Sequence, residues 1–187
     1  SSPKICTKAP ELEMDYEKLL KQHRKKPLFD AASLPAALSY ERIDIRKIIP
    51  QRDPLFFVDR LTGVDLQAGL ISGVRTIDPA DPVFAGHFPD YPVYPGSFTL
   101  EMIGQLSLCM YYFLEGGTDV IAEDAEPVAA RATRLLGAYF LQPILPGSEV
   151  MLLAKKIEYS GFLASAVGQA IVDDTVCCVS AGEVAIL

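Results

Sequence analysis

The chain has 187 residues, half of them hydrophobic, with 24 Asp or Glu against 17 Lys or Arg and a net charge of −7. That is enough apolar material for one substantial core in a single domain, and it excludes an intrinsically disordered chain. The acidic balance argues against nucleic acid as a partner. A Gly-rich phosphate loop and a His/Cys/Asp grouping with metal-ligand spacing are both missing, so neither a nucleotide cofactor nor a metal is implied.

Residues 1–39 differ from the rest. They carry seven Lys or Arg against five Asp or Glu, a net +2 that leaves −9 for residues 40–187. Glu11 to Lys26 reads as an amphipathic helix with Leu12, Tyr16, Leu19, Leu20 and His23 on one side, acids early and bases late, ended by Pro27. Residues 1–39 are therefore taken as an N-terminal extension and 40–187 as the domain proper. An apolar helix face predicts packing on the domain or on a subunit neighbour, with docking of a partner as the sharper alternative.

Leu55 to Thr62 and Leu70 to Ile77 are short β-prone runs. The stretch from Gly86 through His87 to Gly96 follows, stiffened by Pro89, Pro92 and Pro95, whose fixed φ and extended-biasing effect rule out helix. Ser97 to Leu114 then runs eighteen residues without proline up to Glu115-Gly116-Gly117, which predicts a buried helix with a glycine stop. Its length is near a membrane span, but Glu101 and Gln105 suit a pocket better than hydrocarbon. Ser97, Glu101, Gln105 and Cys109 recur at every fourth residue and form a narrow polar stripe. Val128 to Phe140, Glu149 to Tyr159, Phe162 to Val172 and Thr175 to Ile186 read as strands, separated by Pro146-Gly147, Ser160-Gly161 and Asp173-Asp174. Strands, one buried helix and more strands describe an α+β domain. Cys6, Cys109, Cys177 and Cys178 have no disulfide spacing, and no secretory signal is visible, so a reducing cytoplasm is expected.

Gly86-His87-Phe88-Pro89, Pro95-Gly96, Glu101 and Gln105 together resemble the central motif of the 3-hydroxyacyl-acyl carrier protein dehydratases of fatty-acid synthesis. Ile49 to Arg60 resembles the family's opening segment, Phe140 to Gly147 resembles a later one, and the fourteen residues from His87 to Glu101 match its spacing. The resemblance runs from about Ile43 to the C-terminus. It implies a hotdog fold, a curled antiparallel sheet wrapped around one long central helix, with no cofactor. It further implies a homodimer joined edge to edge, each site drawing its acid and base from different subunits.

Dehydration of a 3-hydroxyacyl thioester needs a base for the proton beside the carbonyl, an acid for the departing hydroxyl, and a donor to the thioester oxygen. Neutral imidazole makes His87 the candidate base. Glu101 is the candidate to give the departing hydroxyl its proton, or to orient it, provided burial keeps the carboxyl protonated. The backbone N–H of Gly96, at the start of the helix, is the candidate oxyanion donor; the resemblance implies that Gln105 steadies the carboxylate, and both are assigned to substrate binding. Each residue also has an ordinary reading: His87 as a hydrogen-bonded turn residue, Glu101 as a first-turn charge, Gln105 as a satisfied buried amide, Ser97 and Cys109 as capping or packing residues. A hotdog thioesterase, which would not require His87, and a non-catalytic acyl-binding subunit are the alternatives.

Gln51 and Asp53 stand where the family commonly has histidine and an aromatic, Asp90 replaces a glycine, and Ser97 replaces a small aliphatic residue. These changes bear on the mouth of a substrate tunnel and leave the acid and base in place, so a specialised lipid or polyketide route is an alternative to ordinary elongation. The expected carrier is itself acidic. Docking on a chain of the same sign requires a local basic patch, for which Arg52, Arg60, Arg75, Arg131, Arg134, Lys155 and Lys156 are the available cations.

Overall fold

The computed structural model describes residues 14–187, so Cys6 and the first residues of the expected leader helix, 11–13, lie outside the described residues. Helix α1 spans Tyr16–Gln22, with Asp15 accepting from the Lys18 N–H at 2.9 Å as its cap. It stops four residues short of the predicted Lys26. In the turn that follows, the Gln169 side-chain amide donates to the carbonyls of His23 (2.6 Å) and Lys26 (2.9 Å), while its oxygen accepts from the Leu28 N–H (2.7 Å). A buried side chain from the far end of the sequence thus satisfies two carbonyls and an amide of the turn that follows the helix.

Strand β1 (Ala36–Glu41), a short helix α2 (Arg42–Ile45), β2 (Arg60–Asp65) and β3 (Leu70–Thr76) precede the central helix α3 (Gly96–Gly116); β4 (Ala130–Phe140), β5 (Glu149–Tyr159), β6 (Leu163–Val172) and β7 (Thr175–Ile186) follow it. The seven strands form one antiparallel sheet in the order β1-β2-β3-β5-β6-β7-β4. Its edges are therefore β1 and β4, and the C-terminal strands β5 to β7 are all interior. Strand β1 was not anticipated, and it crosses residues 39 and 40, where the extension was expected to end. The predicted strand from Leu55 is also corrected. Phe56, Phe57 and Val58 are buried outside any strand, the Phe57 N–H being taken by a helix side chain; the Asp59 N–H bonds to Val74 O at 2.9 Å and the strand begins at Arg60.

Helix α3 begins after Pro95 and ends at Gly117, whose φ of 61° is left-handed, as the glycine stop predicts. It lies on the inner face of the sheet against β3, β5, β6 and β7 and buries Met102, Ile103, Leu106, Met110 and Phe113. Gly168 on β6 lets helix and sheet approach closely: a Cβ there would run into Ile103 and stand 2.9 Å from the Leu153 carbonyl. Among the described residues no helix is long and apolar enough to cross a membrane.

The outer face of the sheet is apolar as well, and the N-terminal segment covers it. Leu20 packs with Val167, Val179 and Ala181, and Leu28 and Phe29 pack with Leu153, Ile171 and Val176. This is the packing expected of an amphipathic leader. Gln169, fully buried under it, is the polar tie that holds the segment down. Gln169→Ala leaves three backbone groups without their partner and is expected to lower stability by about 1–3 kcal/mol. Urea unfolding measures the loss, and limited proteolysis should cut first between residues 22 and 35.

Candidate active site

The loop from Gly86 to Gly96 is built by its backbone hydrogen bonds. The His87 N–H donates to Val83 O (2.9 Å), the Val93 N–H returns to His87 O (3.0 Å), and the Tyr94 N–H ties the loop to Ile144 O (2.8 Å). The His87 ring is half-buried, stacks on Phe88 at 4.2 Å between centroids, and has Nδ1 2.8 Å from Val93 O. A carbonyl oxygen only accepts, so Nδ1 carries the hydrogen and Nε2 keeps its lone pair. The ring is thus fixed in the tautomer a base requires, by its own loop.

Gly96 opens α3 beside it. Its N–H makes no hydrogen bond among the described residues, and no side chain caps the helix. Space favours a small residue here: a Cβ would stand 2.7 Å from the Phe140 ring as it lies. His87, Gly96, Val93, Thr99 and Phe140 share a cavity of about 460 Å³ that Cys177 and Cys178 also line. Burial pushes the Cys178 thiol up to about 12 and raises Cys177 too, so both are neutral thiols and poor nucleophiles near pH 7.

Glu101, one turn into α3, is half-buried and faces away from that cavity. Its Oε1 accepts from Gln105 Nε2 (2.9 Å) and from Gln51 Nε2 (3.2 Å), so both protein donors fall on one oxygen and Oε2 is left for a ligand. Gln105 is fully buried and spends the rest of its amide on the preceding loop, accepting from the Phe57 N–H (2.7 Å) and donating to Leu55 O (2.8 Å). It lines neither cavity and reaches substrate only through Glu101. Cys109, at the far end of the polar stripe, is fully buried with its pKa raised by desolvation, whereas Ser97 is exposed.

Glu101 opens into a second cavity of about 400 Å³, between α3 (Ser97, Leu100, Gly104, Ser107) and the strands β4 and β7. Within one chain, then, the sequence-derived base and acid are not brought together: they line different cavities and share no hydrogen bond. The second cavity lies along β4, whose residues 131–135 are exposed on both faces of an unpaired edge, Leu135 to 62%. Gln51 is the site residue that sequence reading missed. It stood out only as a departure from a family pattern, with no signal that its amide reaches Glu101 from fifty residues away.

Residues 49–180 match the FabA-like domain model. The chain is 30% identical over 132 residues to the 3-hydroxyacyl-[acyl-carrier-protein] dehydratase FabZ of Sulfurovum sp. (strain NBC37-1), covering 71% of this chain and 87% of that protein. It is 33% identical to the FabZ of Sulfurimonas denitrificans, with the same coverage. Among solved structures, the dehydratase heterocomplex ApeI:P from Xenorhabdus doucetiae superposes with a TM-score of 0.53 at 15% identity, over 76% of this chain and 90% of that one, a likeness of fold. With its loop histidine, its helix carboxylate and the whole of the core sheet from β2 to β6 inside the matched span, this chain belongs to the FabA-like family.

Proposed function

We propose that this chain dehydrates 3-hydroxyacyl thioesters, presented on acyl carrier protein, to trans-2-enoyl thioesters and water, and that it does so as a homodimer whose sites each combine His87 of one copy with Glu101 of the other. The observation that carries the reading is the His87 ring, held by Val93 O so that Nε2 is a free base in the same cavity as the unpaired Gly96 N–H. In the first step Nε2 removes the proton on the carbon beside the thioester carbonyl. The electron pair moves onto the thioester oxygen, where the Gly96 N–H and the positive end of α3 stabilise it. As the carbonyl reforms, that pair becomes the new C=C bond and the C–O bond on the neighbouring carbon breaks. Glu101 Oε2 gives its proton to the departing hydroxyl, which leaves as water, and the proton on His87 restores the acid. Gln105 and Gln51 act through Glu101 as positioning residues.

The shared site is favoured by the separation of the two cavities and by the bare edge of β4, since an exposed edge invites pairing with another strand. The buried thiols of Cys109, Cys177 and Cys178 are free, in keeping with a reducing cytoplasm.

Incubation of the purified protein with a 3-hydroxyacyl thioester, read by mass, distinguishes the candidate activities: an enoyl product supports dehydration, a free acid indicates a thioesterase, and unchanged thioester a binding subunit. His87→Ala is expected to lower kcat by roughly 10²–10⁴-fold, the usual contribution of a positioned base, and full activity in that variant would contradict the assignment. Mixing inactive His87→Ala and Glu101→Ala proteins should restore about a quarter of wild-type activity, as random exchange leaves half the dimers mixed with one intact site in each; no recovery would mean that each chain holds a complete site. Gln51→Leu should lower kcat about tenfold with KM little changed, equivalent to about 1.4 kcal/mol of barrier.

A further inference from the structure

The N-terminal segment carries a run of positive charge on its surface. Lys18, Lys21, Arg24, Lys25 and Lys26 fall within nine residues that contain no Asp or Glu, in a chain whose net charge is −7. All five side chains are exposed. Lys21 pairs with Glu17, and Arg24 lies over the Tyr139 ring at 5.2 Å from its centroid. On the neighbouring strand β5 the exposed Lys155 is close enough to His23 to help hold its pKa low, second to burial. The segment is not a loose tail at this point, because Leu20 and the three hydrogen bonds of Gln169 fix it against the sheet.

Its position relative to the site is what gives it meaning. Arg24 and Lys25 line a surface hollow of about 610 Å³ whose other walls include Leu141, Gln142 and Thr175. Leu141 and Gln142 also line the His87 cavity. The cations therefore stand across a two-residue wall from the candidate base. Tyr139, under Arg24, adjoins Phe140, the ring that packs over Gly96. Among the described residues, Asp174 is the one carboxylate lining that hollow.

We infer that Arg24 and Lys25, with Lys21, Lys26 and Lys155 around them, form the docking surface for the acidic face of the acyl carrier protein, beside the opening through which its thioester-bearing arm enters the His87 cavity. The inference rests on the dehydratase reading and adds to it a role for the N-terminal segment. Charge complementarity is the argument: an acidic partner approaching an acidic chain is steered to the place where positive charge is concentrated and rigidly held. Among the cations singled out from sequence, Arg75 is tied to Asp59 at 2.9 Å, and Arg131 and Arg134 sit on the exposed half of β4, beside the Glu101 cavity rather than the His87 one.

The test compares the full chain with R24E/K25E and with the milder R24Q/K25Q. Calorimetric binding of a holo-acyl carrier protein should weaken about tenfold in the reversal variant and less in the neutral one, and rising salt should weaken the wild type more than either. KM for the carrier-bound 3-hydroxyacyl substrate should rise in parallel with kcat retained, while turnover of the same acyl group on pantetheine stays within about twofold of wild type. Unchanged carrier binding in R24E/K25E overturns the inference, and so does an equal loss with carrier-bound and pantetheine substrates. Failure of the wild type to release water from either substrate would instead overturn the dehydratase reading, with the binding measurement still deciding the docking surface.

Discussion

The candidate site depends on one buried carboxamide. Gln105 lies at full burial on a helix that is apolar on nearly every side, and there it holds the Phe57 N–H, the Leu55 carbonyl and Glu101 Oε1 at 2.7–2.9 Å. Each of these groups would be costly to bury alone. Satisfied together, they lock the loop before β2 to the first turns of α3 and aim the carboxylate outward. The loop in turn delivers Gln51 to the same carboxylate oxygen. A hydrophobic residue at position 105 would pack well enough, but it would leave the loop amide unpaired and the carboxylate free to turn.

Around that pin the molecule separates rigid positioning from open chemistry. His87 takes its orientation from Val93 of its own loop, and Glu101 takes its orientation from Gln105 and Gln51, so neither depends on the other. The proposed shared site calls for this independence, since each half-site is then preorganised before the halves meet. The edge strand β4 borders the Glu101 cavity through Ala132 to Leu135 and the His87 cavity through Phe140, at its two ends.

Asp53, a departure from the family pattern, has a structural account. It pairs with Arg42 at 2.5 Å and with Arg46, and both guanidinium groups lie over the Phe56 ring, while Arg42 also reaches Asp59 at 2.7 Å. The cluster clamps α2 to the loop that carries Phe56 and Phe57, with the rings giving the cations an apolar seat. Its members are partly exposed, so its contribution to stability is modest, and its effect is to shape the loop behind the site. Asp90 and Ser97 are both exposed, on the loop and at the first turn of α3, and Ser97 lines the acid's cavity.

Local patterning alone was sufficient for the central helix, its glycine stop at Gly117, and the strands β3 and β5 to β7, because these elements carry their own periodicity and are bounded by Gly, Pro or paired Asp. The loop histidine and the helix carboxylate were legible for the same reason: proline spacing marks the loop and the four-residue stripe marks the helix face. What sequence could not convey were relations between residues far apart in the chain. Leu55 to Val58 looks like a strand, yet the Phe57 amide is claimed by Gln105; the turn after α1 is tied down by Gln169, more than 140 residues away in the chain. Gln51 on Glu101, and Arg24 and Lys25 beside the wall of the His87 cavity, likewise appear only once the sheet has curled around its helix, because a polar group's partner is chosen by proximity in space after the apolar faces have been buried.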